Sequence, residues 1–258
     1  MMNRKLLNID QNAKTVKGQK KGYMTAILYL APYKLSGYNV CPMAELAGCI
    51  GDCLNTAGRG GMARADAETV DVEGHIVKLN SIQKARIRKT KQFMEDRETF
   101  MCVLACEIIA AQKKATKRDL ELVVRLNGTS DIRWETVKFG PLNATIFEHF
   151  PDVQFYDYTK IANRKNIPAN YHLTFSVSAR KEFYPIWDAA QAHYKRGMNY
   201  AVVFRGKTLP AVYQGYRVIN GDESDLRFLD EKGVVVGLKA KGNAKKSNSG
   251  FAVAAEAA

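Results

Sequence analysis

Short apolar runs alternate with helical stretches along most of this chain, and this alternation restricts its fold more than any other feature. The first run, Gly22–Ala31, is β-prone and bounded by Gly and Pro, so we predict a buried strand. Later strands are predicted over Leu122–Asn127, Val153–Thr159, Tyr171–Val177, Tyr200–Phe204 and Val234–Lys239. Helices are predicted over Ser81–Ala115, with a break near Asp96–Thr99, and over Ile132–Phe150 and Arg180–Arg196. Repeated β-α units predict an α/β fold with a mainly parallel sheet, closed as a TIM-like barrel or partial barrel.

The pattern indicates one domain between two polar ends. The 258 residues can bury a continuous core, and no linker rich in Pro, Gly or Ser divides them. We interpret residues 1–21 as a basic N-terminal segment and residues 22–242 as the barrel-like domain. Residues 243–258 are small, polar and Ala-rich, which is typical of a flexible tail.

Several features predict a cytoplasmic protein that makes no membrane contact. The longest apolar stretch, Met24–Pro32, is too short to cross a bilayer, and the N-terminus lacks the apolar core of a signal peptide. The five cysteines are an odd number, so without an export signal they predict free or metal-bound thiols and not disulfides.

The net charge of +13 favours anionic partners, either a small molecule or nucleic acid. The excess lies in the N-terminal segment, in residues 84–91 and in residues 239–246. Charge runs of this kind are usually solvated faces, so the charge does not choose between the two partners.

Three cysteines follow the first predicted strand within thirteen residues: Cys41, Cys49 and Cys53, separated by seven and then three residues. Thiolates suit iron–sulfur clusters and zinc, and the glycines between them allow the sulfurs to converge. We predict a [4Fe-4S] cluster with one open iron, with zinc or unligated thiols as the alternatives. Cys102 and Cys106 share a helix face among apolar residues, which favours core packing.

Polar side chains stand at the predicted strand ends, where parallel β/α folds gather their ligands. The candidate binding residues are Arg125, Asn127, Ser130, Asp131, Ser176, Arg205 and Lys239, with Arg59 in a glycine-rich turn that could cradle an anion. Asn127, Ser130 and Asp131 could equally form a turn and a helix cap.

Asp157 and Lys160 are the candidate catalytic residues, for proton transfer or substrate orientation. A carboxylate within the apolar and aromatic run at 153–159 is unfavourable unless it is paired or binds something. Arg125, Lys160, Arg205 and Lys239 are its possible partners.

Ordered blocks of sequence carry a family resemblance: GYMTAILYLAP, NVCPMAELAGCIGDCLNTAGRGG, VVRLNGTSDIRWE, FPDVQFYDYTK, NYHLTFSVS, DLRF and VVGLKAKG. With these blocks, from about residue 12 to residue 241, the chain resembles the bacteriophage gene-product-88 family. The resemblance implies a phage origin and names no chemistry.

A looser similarity is to radical S-adenosylmethionine enzymes, which hold a [4Fe-4S] cluster on a three-cysteine loop after the first barrel strand. The order of strand, cysteine loop and helix agrees. The cysteine spacing is longer here, and no Gly-Gly-Glu-like segment follows the second strand, which weakens the implication that S-adenosylmethionine binds.

Two functions follow from these observations. The first is a phage-encoded iron–sulfur enzyme, radical-S-adenosylmethionine-like or related, acting on an anionic, nucleotide or nucleic-acid-related substrate. The second is a nucleic-acid-binding protein in which a cluster or zinc is structural.

Overall fold

The computed structural model describes residues 5–10, 13–194 and 198–255. Its helices are α1 (Ala13–Gln19), α2 (Ser81–Glu95), α3 (Arg97–Thr116), α4 (Ile146–His149) and α5 (Tyr184–Tyr194). Its strands are β1 (Leu7–Ile9), β2 (Tyr23–Leu28), β3 (Thr69–Val72), β4 (His75–Lys78), β5 (Glu121–Arg125), β6 (Lys138–Phe139), β7 (Ala144–Thr145), β8 (Gln154–Thr159), β9 (Tyr171–Ser176), β10 (Tyr200–Arg205), β11 (Val212–Tyr213), β12 (Tyr216–Asn220), β13 (Val235–Lys239) and β14 (Val253–Ala254).

One large sheet organises the molecule, in the order β1-β2-β5-β8-β9-β10-β13-β12-β11. All neighbouring pairs from β2 to β12 are parallel, whereas β1 and β11 are antiparallel to their neighbours. The predicted α/β class with a mainly parallel sheet is confirmed. The parallel strands all end at one edge of the sheet, where their polar residues can meet.

The sheet is not a closed TIM-like barrel, which was one of the two closures, barrel or partial barrel, expected from the sequence. Within the described ranges its path begins at β1 and stops at β11, and no pairing joins these two strands. A closed β/α barrel needs parallel strands around its whole circumference. Here an antiparallel strand lies at each edge and ends the parallel series.

The two faces of the sheet have different coverings. Met24, Val124 and Phe155 lie in a core shared with Phe100, Leu104 and Ile108 of α3. The alternate residues, including Val123 and Tyr156, contact Leu226 on the opposite face. A second core beneath α5 contains Phe175, Tyr200, Val202 and Trp187. Side-chain alternation therefore decides which strand residues reach the helices and which reach the opposite face.

The break predicted within the first long helical stretch is confirmed, whereas one predicted helix is wrong. Asp96, with φ −141° and ψ 64°, separates α2 from α3, which confirms the expected break. The expected helix over 132–150 is wrong, because this stretch holds the β6–β7 hairpin and only the short α4. The pair Gly140–Pro141 explains the difference, since Gly140 adopts φ +70° and proline cannot continue a helix.

The ends of the chain are more structured than their composition predicted. The expected basic N-terminal segment contributes β1 and α1. Most of the expected tail packs against the sheet: β14 pairs with Phe204 and Arg205 of β10, beyond the point where β9 pairs with β10. The parallel neighbours β9 and β10 pair only at Tyr200 and Ala201, which leaves room for β14 to pair with the rest of β10. Residues 256–258 lie outside the described residues.

None of the described helices is both long and apolar enough to cross a bilayer.

Candidate functional site

A cavity of about 220 Å³ lies at the edge where the parallel strands end. All three loop cysteines line it, together with Arg125, Asn127, Ser130, Asp131, Lys160, Ser176 and Lys239. The cysteines come from the long loop after β2, and the other residues come from β5, β8, β9 and β13 or from the loops directly after them. The parallel sheet thus brings together residues that are almost two hundred positions apart, as the strand-end pattern predicts.

The cysteine loop, residues 41–53, folds back on itself next to β5. The Cys41 Sγ is 3.7 Å from the Thr129 carbonyl oxygen, and the backbone N–H of Asn55 donates to the Cys53 Sγ at 3.4 Å. A second cavity of about 200 Å³ is also lined by Cys41, Cys49 and Cys53. The three cysteines therefore border both cavities.

The surroundings of the three thiols favour their protonated form when no metal is bound. Burial raises the pKa of Cys53 to about 11. Burial, and then the neighbouring Cys53, raise the pKa of Cys41 well above its ordinary value. Burial also raises the pKa of Cys49, while the ammonium of Lys160 opposes this shift. A metal that bound here would displace protons, because only the thiolate is a ligand.

The described residues contain no three His, Cys, Asp or Glu side chains that converge closely enough to hold a metal ion. A tetrahedral zinc ion needs its sulfurs about 2.3 Å from one centre, so it demands such convergence. A [4Fe-4S] cubane instead takes one thiolate at each of several corners, so its cysteines can stand further apart. The three cysteines that line the cavity are donors of the kind that a cubane takes, whereas a single ion would need three donors to converge on one point.

Arg125 lies at the end of β5 and is held between two carboxylates. Its Nη1 donates to Asp225 Oδ2 at 3.2 Å, and its Nε is 3.7 Å from Asp157 Oδ1. Burial opposes its charge, but Asp225 and the neighbouring tyrosines raise the pKa of Arg125 above its ordinary value. The guanidinium, stacked at 4.9 Å on Tyr158, is therefore a fixed positive charge in the cavity wall.

Asp157, one of the two predicted catalytic residues, is fully buried and does not line the cavity. Its oxygens accept from the backbone N–H of Asn127 at 2.8 Å and the Tyr171 hydroxyl at 3.0 Å. Alternation explains its position: Asp157 shares a face of β8 with core residue Phe155, whereas Tyr158 and Lys160 follow the other face. Burial raises its pKa to about 7, with Arg125 opposing the shift. Of its predicted partners, only Arg125 approaches it.

The loop after β5 is built around Asn127. Its Oδ1 accepts from Ser130 Oγ at 2.8 Å, from the Ile132 N–H at 3.0 Å and from Trp134 Nε1 at 3.0 Å. The turn interpretation of Asn127 and Ser130 therefore accounts for both side chains. Asp131 accepts from the Lys160 N–H at 2.7 Å and lies 3.7 Å from Arg164 Nη1. This loop fixes the wall beside Cys41.

Lys160 projects from the end of β8 into the cavity. Its Nζ donates to the Ser176 carbonyl oxygen at 3.0 Å and to Ser176 Oγ at 2.9 Å. The Phe251 ring lies 4.6 Å from the same ammonium and the Phe183 ring 5.5 Å. Burial lowers the pKa of Lys160, and the nearby Cys49 opposes that shift.

Arg59 and Arg205 do not line this cavity, although the sequence pattern predicted that they would belong to the site. Arg59 is exposed, and its glycine-rich turn presents carbonyl oxygens to Asn80 and Gln83. The glycines are needed for close packing, because a Cβ on Gly61 would lie 2.1 Å from the Thr56 carbonyl oxygen. Arg205 instead donates to the Ser247 carbonyl oxygen at 2.5 Å, next to β14.

A family model described as Gene product 88 matches residues 4–255, nearly the whole chain. The chain belongs to this family. No curated protein and no solved structure matches it.

In this gene-product-88 chain the second group of cysteines does not line the cavity. Cys102 and Cys106 are exposed on α3, so the interpretation that they pack in the core is wrong. Helical periodicity gives the reason: Phe100, Leu104, Ile108 and Ala111 form the buried face of α3, and the two cysteines fall outside it.

The site also contains residues that were not among the candidates. They are Asp52 between two of the cysteines, Asp222, Asp225 and Lys241 near β13, and Phe251 from the C-terminal segment. Alternation along β8 could have indicated Tyr158, because it lies two residues before Lys160. Nothing local to residue 251 could have placed it beside β8, because that contact depends on β14 pairing with β10.

Proposed function

We propose that this protein is an iron–sulfur enzyme in which Cys41, Cys49 and Cys53 hold one [4Fe-4S] cluster beside a cavity for a small anionic substrate. The single observation that carries the proposal is that all three thiols line a cavity which also contains Arg125, Lys160 and Lys239. A purely structural metal does not require basic residues around a cavity at its side. With three protein ligands, such a cluster would supply an iron with an open position and the capacity to transfer electrons.

The chain's own residues have separate parts in this proposal. Lys160 counteracts the effect of burial on Cys49, which favours the thiolate that a metal requires. Arg125 provides a charge that Asp225 and Tyr158 hold in place. Asp157 is not proposed as a catalytic residue, because it cannot reach the cavity; it positions the start of the Asn127 loop through the backbone N–H groups at 126 and 127.

Fewer observations support the more specific proposal that the cluster binds S-adenosylmethionine, as in the radical enzymes. The chain order of β2, cysteine loop and a later helix agrees with it, although the β3–β4 hairpin intervenes. The loop after β5 reads Asn127-Gly128-Thr129-Ser130 where a Gly-Gly-Glu-like segment would be expected. Adding S-adenosylmethionine to the reduced protein and recording the electron paramagnetic resonance spectrum tests this form, since an unchanged spectrum would remove it.

Anaerobic purification followed by iron, sulfide and zinc analysis and a visible absorption spectrum tests the central proposal. We expect about four iron and four sulfide per chain and a broad absorption band. A colourless protein that retained one zinc per chain under the same conditions would contradict the proposal and leave a structural ion.

Nucleic-acid binding is the second candidate function, and the net charge of +13 is the observation that favours it. Binding of this kind releases condensed counterions, so the affinity should fall steeply as salt increases. Fluorescence anisotropy with a labelled oligonucleotide at two ionic strengths measures this dependence. Absence of binding at low salt would exclude this candidate.

A further inference from the structure

The cavity wall carries four carboxylates and four basic side chains, which are equal in number but differ in how they are paired. Each of the four carboxylates accepts a hydrogen bond from the protein. Asp52 accepts from Ser249 Oγ at 2.5 Å, and Asp131 from the Lys160 N–H at 2.7 Å. Asp222 accepts from the Lys239 N–H at 2.9 Å and Lys241 Nζ at 3.0 Å, and Asp225 accepts from Arg125 and the Tyr156 hydroxyl, each at 3.2 Å. The cavity carboxylates are therefore already engaged by the chain.

The four basic residues of the wall differ in their pairing. Arg125 and Lys241 form ion pairs with Asp225 and Asp222, whereas the ion pairs within the described part of the chain include neither Lys160 nor Lys239. Lys160 is nevertheless held firmly, since its ammonium contacts two oxygens of Ser176 and the faces of Phe183 and Phe251. These partners orient the ammonium without neutralising it. Burial lowers the pKa of the ammonium, while Cys49 and Asp131 oppose this shift from a distance, so they help to keep it charged. A half-buried cation whose direct contacts are neutral is a favourable site for an anion.

The rest of the wall limits what kind of anion fits. Met43, Leu54, Val203, Leu238 and Phe251 supply an apolar surface along the same cavity. Bare phosphate would leave this surface in contact with water, whereas an organic anion would cover it. The volume of about 220 Å³ suits a small molecule and not a strand of nucleic acid.

We propose that Lys160 is the anchor for the single anionic group, phosphate or carboxylate, of a small ligand whose planar apolar body lies along the wall near Phe251. Ser176 holds the ammonium toward the ligand, and Lys239 at the rim adds a second positive charge. This inference rests on the proposed function in that it names the substrate class of the same cavity. The affinity itself depends on Lys160 and not on the chemistry that follows.

Two matched probe pairs test the inference on the anaerobically purified full chain. Adenosine 5′-monophosphate against adenosine reports on a phosphate, and indole-3-acetate against indole-3-acetamide reports on a carboxylate. By isothermal titration calorimetry we expect at least one anion to bind about tenfold or more tightly than its neutral partner, because charge-assisted hydrogen bonds are the stronger ones. The pair that shows the difference identifies the anionic group.

Substitutions at Lys160 decide whether this residue is the anchor. Lys160→Met should remove the preference for the anion, and Lys160→Arg should keep most of it. Lys114→Met, which removes a lysine from the exposed surface of α3, is the matched control and should change nothing. Circular dichroism of each variant checks that the fold is retained.

The outcomes separate this inference from the proposed function. An iron-containing wild type with no anion preference, or a folded Lys160→Met that keeps the preference, would overturn the inference alone. A wild type that lacked iron but bound the anion through Lys160 would overturn the proposed enzyme and leave the anion site standing.

Discussion

Two pairs of cysteines in this chain have the same spacing and opposite surroundings. Cys49 and Cys53 are four positions apart, as are Cys102 and Cys106. The first pair lies in a loop with glycines and lines the cavity, whereas the second pair is exposed on the continuous helix α3. Spacing alone therefore does not assign a role to a cysteine. The backbone that carries the pair, and what packs around it, decides whether the thiols can share a ligand.

The largest expected difference between the two groups is in metal content. We expect Cys41→Ala, Cys49→Ala and Cys53→Ala each to lose the iron and sulfide, because a cluster of this kind needs every thiolate it has. Cys102→Ala and Cys106→Ala are the matched controls and should retain both. Iron and sulfide assays on anaerobically purified variants measure this. Equal loss in all five variants would show that the ligand set is wrong.

The next largest expected difference is in thiol reactivity. In the metal-free protein the cysteines of the loop should react more slowly than the two cysteines of α3. Burial raises the pKa of Cys53 to about 11, so roughly one thiol in a thousand is ionised there at pH 8. Iodoacetamide should therefore label the exposed Cys102 and Cys106 first, with rates on the order of a hundredfold faster.

Peptide mass spectrometry at timed intervals assigns the labelled residues. The labelling of Cys53 should also increase as the pH is raised toward 11. Loop cysteines that reacted as fast as the helix pair would mean that they are not buried as described.

The buried carboxylate near the cavity should make stability depend on pH. Burial raises the pKa of Asp157 to about 7, against about 3.9 in an unfolded chain. The folded state then binds more protons than the unfolded state between pH 4 and pH 7, so stability falls as the pH rises through this range and levels off above it. Asp157→Asn should remove this dependence, which is on the order of a few kcal/mol.

Urea denaturation at several pH values compares the wild type with Asp157→Asn. Asp188→Asn, at an exposed position of α5, is the control and should keep the wild-type pH dependence. Parallel pH profiles for the wild type and Asp157→Asn would show that the carboxylate titrates as it does in water.

The smallest expected effect concerns the segment that covers the cysteine loop. Val253 of β14 is 9% exposed, and Ile109 of α3 is 44% exposed. Val253→Ala should destabilise the protein by about 1–2 kcal/mol, because it leaves a space under a paired strand. Ile109→Ala removes more atoms, yet it should cost less, because the side chain is partly in water and alanine favours helix.

Thermal unfolding followed by circular dichroism gives both values. If Ile109→Ala were the more damaging variant, the C-terminal segment would not be packed against the sheet as described, and the contact of Ser249 with Asp52 in the cysteine loop would have to be reconsidered.

The sequence by itself determined the elements whose signal is local. Apolar runs with short polar boundaries predicted β2, β5, β8, β9, β10 and β13 to within a few residues, and alternation predicted that Arg125 and Asn127 share a face. The parallel direction of these strands then brought their polar ends to the same edge as the cysteine loop. Local periodicity was enough for this because buried strands need a side-chain pattern that repeats every two residues.

Only the tertiary structure decided the rest. Whether the sheet closes depends on edge strands such as β1 and β11, whose two or three residues carry almost no pattern of their own. Whether Asp157 faces the cavity depends on which face of β8 the α3 helix covers. The position of Phe251 beside Lys160 depends on the room that β9 leaves along β10 for a strand from the other end of the chain. Each of these is a contact between distant segments, and the free energy that selects it comes from burial shared between those segments, which neither one encodes alone.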